Sequence, residues 1–185
     1  LSINNTSAFT GLGTYDINTN MNASVVAENQ KAGIFLFGVQ RNREQYDRDE
    51  DGYSDIPHLN STTVGFRSYF KTSDYSKITA EYHHTSEFRR GGYGIDSLQP
   101  HESPLTEQLK HNIDAATAKW DMYSADSEHF VSAYTSFQHI GRDSYFGTNY
   151  NPNAYGKSTD LVSVTGAQYR FSYPCGLMNA DLSAG

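Results

Sequence analysis

A single cysteine, Cys175, stands among 185 residues. It excludes an internal disulfide, and with no second cysteine nearby it excludes a thiolate metal site as well. Cys175 reads as an incidental small residue. Basic side chains are also scarce, 14 Lys and Arg against 21 Asp and Glu, for a formal charge of -7. Sequence-independent affinity for phosphate backbones comes from clustered Lys and Arg, so nucleic acid is excluded as a partner. Mean hydropathy is -0.65. No run approaches the roughly 18 apolar residues that a membrane-crossing helix needs. A transmembrane β-barrel survives that test, because its strands alternate apolar with polar residues and average the hydropathy away. Residues 1–10 carry neither an initiator Met nor a basic-then-apolar leader, which suggests a processed chain or a piece of a longer one.

What is abundant is strand and turn vocabulary: 14 Tyr, 10 Phe and 15 Gly, with many Thr, Ser and Asn. The length suits one domain. Alternating runs predict seven strands, at about 14–26, 32–46, 62–71, 77–88, 109–122, 129–142 and 160–173. In the clearest, Ile78, Ala80, Tyr82, His84 and Phe88 share one face; Lys77, Thr79, Glu81, His83, Thr85 and Glu87 share the other. The preceding run sets Val64, Phe66, Ser68 and Phe70 against Gly65, Arg67, Tyr69 and Lys71. Around a turn near Asp74 the two form a hairpin whose parity puts Phe70 opposite Ile78, Phe66 opposite Tyr82 and Arg67 opposite Glu81. That register also sets Lys71 against Lys77, a small objection.

The connections alternate in length. Short ones fall at 27–31, 72–76 and 124–128, long ones at 47–61, 89–108 and 143–159, the long ones rich in Gly, Pro, Asp, Asn, Ser or Tyr. Long structureless loops are uncommon in compact soluble domains. Short turns alternating with long loops fit an outer-membrane barrel, with short periplasmic turns and long extracellular loops. The fold expected is therefore all-β, an antiparallel up-and-down transmembrane β-barrel segment. Tyr75, Trp120, Tyr123 and Tyr173 beside the short turns, with Tyr46, Phe88 and Tyr145 at the other rim, would supply its aromatic girdles. In that orientation residues 1–13 belong to an extracellular loop, residues 174–179 turn at the periplasmic side, and the chain is an internal fragment.

The sharpest chemical motif is Asp47-Arg48-Asp49-Glu50-Asp51-Gly52-Tyr53-Ser54-Asp55. Hard Ca²⁺ takes six to eight oxygens, and this loop offers carboxylates from Asp47, Asp49, Asp51 and Asp55, a carbonyl from Tyr53 and a turn at Gly52. His58 stands where a helix-flanked calcium loop would carry its bidentate Glu, so Glu102 or Asp143 from other loops would complete the shell. A merely solvated acidic loop is the alternative. Arg67, Glu81 and His83 are expected to face a lumen, Arg67 and Glu81 as an ion pair. His83 and His84 point to opposite faces and cannot share one ion. Arg89, Arg90 and Tyr93, beside flexible glycines, are candidates for an anionic ligand or for outer-leaflet phosphate. No catalytic constellation emerges: Ser144, Asp143 and His139 co-occur without a spacing that makes a triad, so the chain reads as a non-enzyme.

The blocks from Asp47 to Pro57, from Phe66 to Phe70 (Phe-Arg-Ser-Tyr-Phe) and from Glu87 to Gly92 (Glu-Phe-Arg-Arg-Gly-Gly), with Pro100-His101-Glu102 and Glu107-Gln108, resemble the barrel of TonB-dependent outer-membrane receptors of the Bacteroidetes type. The resemblance covers most of residues 1–185, as a partial barrel with no plug domain. It implies a parent barrel of about 22 strands, within the range of such proteins, that imports a large scarce ligand, cobalamin or a ferric siderophore. The energy would come from the TonB complex through the parent's plug. It also implies contact with outer-membrane lipid, a possible surface lipoprotein partner, and, by likeness to cobalamin receptors, calcium in the Asp47 loop. Two other classes share parts of the pattern: a passive pore or adhesin barrel, and a soluble calcium-stabilised β-sheet binding protein.

Overall fold

A computed structural model describes residues 1–9, 13–175 and 178–185. Among them the chain forms nine strands: β1 (Ser2–Phe9), β2 (Tyr15–Val26), β3 (Ala32–Arg43), β4 (His58–Ser73), β5 (Ser76–Gly92), β6 (Leu105–Tyr123), β7 (His129–Thr148), β8 (Tyr155–Cys175) and β9 (Met178–Ala184). They make one antiparallel up-and-down sheet in chain order, with β1 and β9 as its edges, so the sheet is not closed. The one helical element among the described residues is a 3₁₀ turn at Pro100–Glu102.

The expected hairpin is present in the expected register: Phe70 opposes Ile78, Phe66 opposes Tyr82, Arg67 opposes Glu81, and Lys71 opposes Lys77, with an irregularity between Lys71 and Ser73 just before the turn. Short turns gather at one end of the sheet, at 27–31, 74–75 and 124–128. Local side chains build them. Asp126 accepts from the Ser124 hydroxyl and the Glu128 amide, and these bonds hold its carboxyl below the ordinary aspartate range.

The other end departs from the sequence reading in two ways. Residues 1–13, expected as a loop, contain β1, whose Ser2 to Phe9 pair with Asn22 to Tyr15. Residues 143–159, also expected as a loop, continue β7 to Thr148 and start β8 at Tyr155, with only 149–154 between them. The loops at 44–57 and 93–104 remain long. The turn expected within 174–179 includes residues 176 and 177, which lie outside the described residues, as does the Cys175 side chain.

Following the pairing from strand to strand separates two faces. One carries Met21, Ala23 and Val25 on β2, Ile34 and Leu36 on β3, Val64, Phe66 and Phe70 on β4, and Ile78, Ala80 and Tyr82 on β5. It continues through Ala116, Ala118 and Trp120 on β6, Val131, Ala133 and Phe137 on β7, and Leu161, Ala167 and Tyr169 on β8. Val25, Val64, Phe70 and Leu161 on this face are at least half exposed. The opposite face is mainly polar through the middle of β4–β7, with Arg67, Thr79, Glu81, His83, Thr117, Lys119, Ser132 and Ser136, and carries apolar Phe35, Phe37, Val162 and Val164 toward the flanks and the Ile113–Ile140 pair on β6 and β7.

Among the described residues each strand touches only its neighbours in sequence and the 3₁₀ turn, and no second layer covers the middle of either face. The core sits instead at the long-loop end, where Leu59, Ile95, Leu109 and Tyr145 are buried. Tyr145 packs against Tyr155 at 4.8 Å and donates to the Asn151 carbonyl. Gly147 makes room for it, since a Cβ there would meet the Tyr145 hydroxyl at 2.2 Å. The 93–104 loop is tied down by the Ser103 hydroxyl, placed 2.9 Å from both the Tyr93 and Leu105 carbonyls, and by His101 against the Tyr155 hydroxyl.

Candidate functional site

The bridge between Tyr46 and Ile56, with amide-carbonyl bonds of 3.0 Å in both directions, pinches residues 47–55 into a closed loop. Its carboxylates then turn inward. Asp47 accepts from the Glu50 amide through Oδ1 and from the Gly52 amide through Oδ2, each at 2.8 Å, and Asp55 Oδ2 accepts from the Arg48 amide at 2.8 Å. Gly52 adopts φ 87°, a left-handed conformation that costs a side-chain-bearing residue energy. Glu50 adopts it too, at φ 61°.

The result brings one carboxylate oxygen each from Asp47, Asp49 and Asp55 within 4.8 Å of one another, an arrangement able to hold a metal ion. Asp51 is not in this group; its Oδ1 accepts from the Tyr53 amide instead. Tyr53 leaves the loop to pack its ring, tilted, against Tyr93 at 5.1 Å and to bridge with it, which joins the first long loop to the second. The expected helpers are used elsewhere: Glu102 accepts from the Gln99 amide at 2.9 Å, and Asp143 faces Lys157 at 3.7 Å. As a test of fit for Ca²⁺, the donors are hard oxygens and three converge, so carbonyls and water would have to supply the rest of a six- to eight-oxygen shell.

The anion-site residues are not brought together. Arg89 and Arg90 are adjacent in β5 and therefore point to opposite faces. Arg89 Nη2 pairs with Glu107 Oε1 at 2.7 Å, while Arg90 donates to the Leu98 carbonyl and pins the second loop. Tyr93 packs against the Tyr53 ring.

Arg67, Glu81 and His83 do share the polar face, and Arg67 Nε lies 3.0 Å from Glu81 Oε2. Arg67 is 66% exposed in this pair, so its coupling should be small. A double-mutant cycle with Arg67→Ala and Glu81→Ala is expected to give about 0.2–1 kcal/mol on unfolding stability; a larger coupling would show that water is excluded from this face. His84 points to the other face, where its Nδ1 and the Tyr82 hydroxyl both contact Asp114 Oδ1, at 2.9 and 2.7 Å. Sequence reading missed that cluster because Asp114 lies on a neighbouring strand. Asp143 and His139 face away from Ser144 on β7, so the three form no triad.

No family model, curated protein or solved structure matches the chain. Its own geometry carries the functional argument.

Proposed function

We propose that the chain is part of the barrel of a TonB-dependent receptor in the outer membrane of a Gram-negative bacterium. The parent takes up a large scarce nutrient, cobalamin or a ferric siderophore, with energy from the TonB complex through its plug. The observation that supports this best is the unequal chemistry of the two sheet faces. One face exposes an apolar band across β2–β8, broken at the level of Val64 by His84, Asp114 and His139, with polar side chains behind it on β4–β7. In water such a surface is a liability; against lipid it is a solvent match.

Dimensions agree. On β4 the apolar positions run over residues 64–70 and on β8 over residues 161–171, bracketing the roughly 9–11 residues with which a tilted strand crosses hydrocarbon. Trp120, Tyr169, Phe171 and Tyr173 lie on or beside the band at the short-turn end, as an interfacial girdle requires. Strands β4 to β8, at 16 to 21 residues, outrun the band toward the long loops. That overhang forms a platform outside the membrane. It carries the Asp47–Asp49–Asp55 cluster, the site where calcium would bind and stiffen the capturing loops. A surface lipoprotein would dock on the same rim.

The face assignment is testable by cysteine accessibility in the intact protein with Cys175→Ser. Ile78→Cys and Ala118→Cys are expected to resist a water-soluble maleimide and to react with a membrane-soluble one, while Thr79→Cys and Ala115→Cys react at least tenfold faster from water. Equal aqueous reactivity on the two faces would sink the membrane reading and favour a soluble β-sheet binding protein.

A further inference from the structure

We propose that a cavity at the short-turn end of the polar face binds a small oxyanion carrying two or more negative charges, of the phosphate or polycarboxylate kind. This face meets water whether or not the other meets lipid, so the site stands independently of the receptor reading. The cavity holds about 620 Å³, within the range of small-molecule sites. Arg67, Tyr69 and Lys71 line it from β4, Lys77 from β5, and Lys119 and Asp121 from β6.

Charge chooses the ligand. The chain has six lysines and a formal charge of -7, yet three of those lysines and Arg67 meet at this cavity beside one carboxylate, Asp121. The local sign is therefore opposite to that of the whole chain, which concentrates anions here. Two of the four cations are already balanced: Arg67 pairs with Glu81 at 3.0 Å and Lys119 with Asp121 at 2.9 Å. Lys71 and Lys77 are left over. Both are exposed, they stand directly opposite each other, and neither forms an ion pair among the described residues. Lys77 also faces Asp121 across to β6, but that carboxylate already holds Lys119.

Like charges directly opposite on a sheet are destabilising. The other face imposes them: Phe70 meets Ile78 there, and a one-residue slip would exchange the faces. An oxyanion seated between the two ammonium groups turns their repulsion into charge-assisted hydrogen bonds. Each ammonium carries three donors and no acceptor, and the Tyr69 hydroxyl adds another donor, so the cavity is short of acceptors as well as of negative charge. Two uncompensated cations match a dianion, whereas a monoanion leaves one of them as it was. Sequence reading met the Lys71–Lys77 pair only as an objection to the register, because Lys119 and Asp121 come from a strand beyond the hairpin.

The test is calorimetric titration of the intact protein with pyrophosphate and with citrate, beside acetate at matched ionic strength. At least one of the multivalent anions is expected to bind, about tenfold or more tighter than acetate, and to weaken as NaCl is raised. Pyrophosphate alone would name phosphate as the ligand group, citrate alone a polycarboxylate, and both together charge itself. Lys71→Gln and Lys77→Gln should each weaken binding by about fivefold or more, the worth of a hydrogen bond to a charged group less its screening by water. Lys110→Gln makes the same charge change on the other face and should leave binding unchanged. Folding is read separately: without anion, Lys71→Gln should keep or raise the unfolding midpoint, since it removes a repulsion, and it should lose most of the rise that pyrophosphate or citrate gives the unaltered protein. Absence of binding by both multivalent anions, acetate binding as tightly, or equal losses with Lys71→Gln and Lys110→Gln overturns the proposal.

Discussion

Phe66→Arg is expected to destabilise the protein in a bilayer by about 2–4 kcal/mol, the cost of a guanidinium near the middle of a barrel's lipid-facing band. The row through Phe66 is Leu36, Phe66, Tyr82, Ala116 and Phe137, between a row through Ser68 on one side and one through Val64, His84 and Asp114 on the other. Among the described residues nothing charged shares that row, and the nearest carboxylate, Asp114 in the next row, is already held by the Tyr82 hydroxyl at 2.7 Å and by His84. Thr117→Arg is the control. It lies on the opposite face directly across from Glu81, which already accepts Arg67, and loses only a hydroxyl contact of 3.1 Å to Ser136. Its effect should stay under about 1 kcal/mol, as for an exposed charge near an ion pair. Urea titration of protein refolded in lipid vesicles measures both. If the apolar face met water instead of lipid, Phe66→Arg would cost only the packing of one half-covered ring against Tyr82, 6.2 Å away, and would improve solubility. Equal stability of the two arginine variants would therefore discard the lipid-facing assignment.

The parts of the fold legible in the sequence are those where two solvents wrote a contrast into alternate residues. The β4–β5 hairpin is the best example: apolar Phe66 and Phe70 alternate with Arg67 and Lys71, a one-residue slip would exchange faces, and the observed register is the one that parity favoured. Contrast fades toward the long loops. Asp143, Lys157 and Thr159 are polar on the face that is apolar lower down, so periodicity gives no strand there, and the ladder to the neighbouring strand sets the conformation. Ser2–Phe9 shows little alternation, with Asn4, Asn5, Thr6 and Ser7 polar in succession between Ile3 and Phe9, and its pairing with β2 sets it as a strand. The acidic loop was legible as a loop that concentrates carboxylates. Which of them converge depends on local amide bonds: those at Asp47 and Asp55 turn the loop inward, and the Tyr53 amide takes Asp51 out of the cluster. Arg89 and Arg90 were read as a pair because the strand was ended at Phe88; once β5 runs to Gly92, parity alone separates them.

Asp49→Asn is the variant expected to report most cleanly on calcium. Asp47 and Asp55 also hold backbone amides, so changing either disturbs the loop as well as the ion site. Asp49 makes no hydrogen bond among the described residues, yet its carboxylate lies in the cluster. Removing one of three converging charges should weaken Ca²⁺ by about tenfold or more, since affinity in oxygen-ligand sites follows the count of charged ligands. Asp51→Asn should stay within about twofold, because only ligating carboxylates enter that count. The same binding must appear as stability. At a free Ca²⁺ concentration of about 100 times the dissociation constant, the ion contributes about 2.7 kcal/mol if it binds only the folded chain, and a chelator removes it. Calorimetric titration of the intact protein, with unfolding measured in Ca²⁺ and in chelator, gives both numbers. Equal Ca²⁺ affinity for the Asp49 and Asp51 variants, or an unfolding midpoint indifferent to chelator, would leave residues 47–55 a solvated acidic turn. The loop's hold on the rim would then come from its other fixed points, the Tyr53–Tyr93 ring contact and the Ser54 hydroxyl that accepts from the Gly92 amide at 2.8 Å.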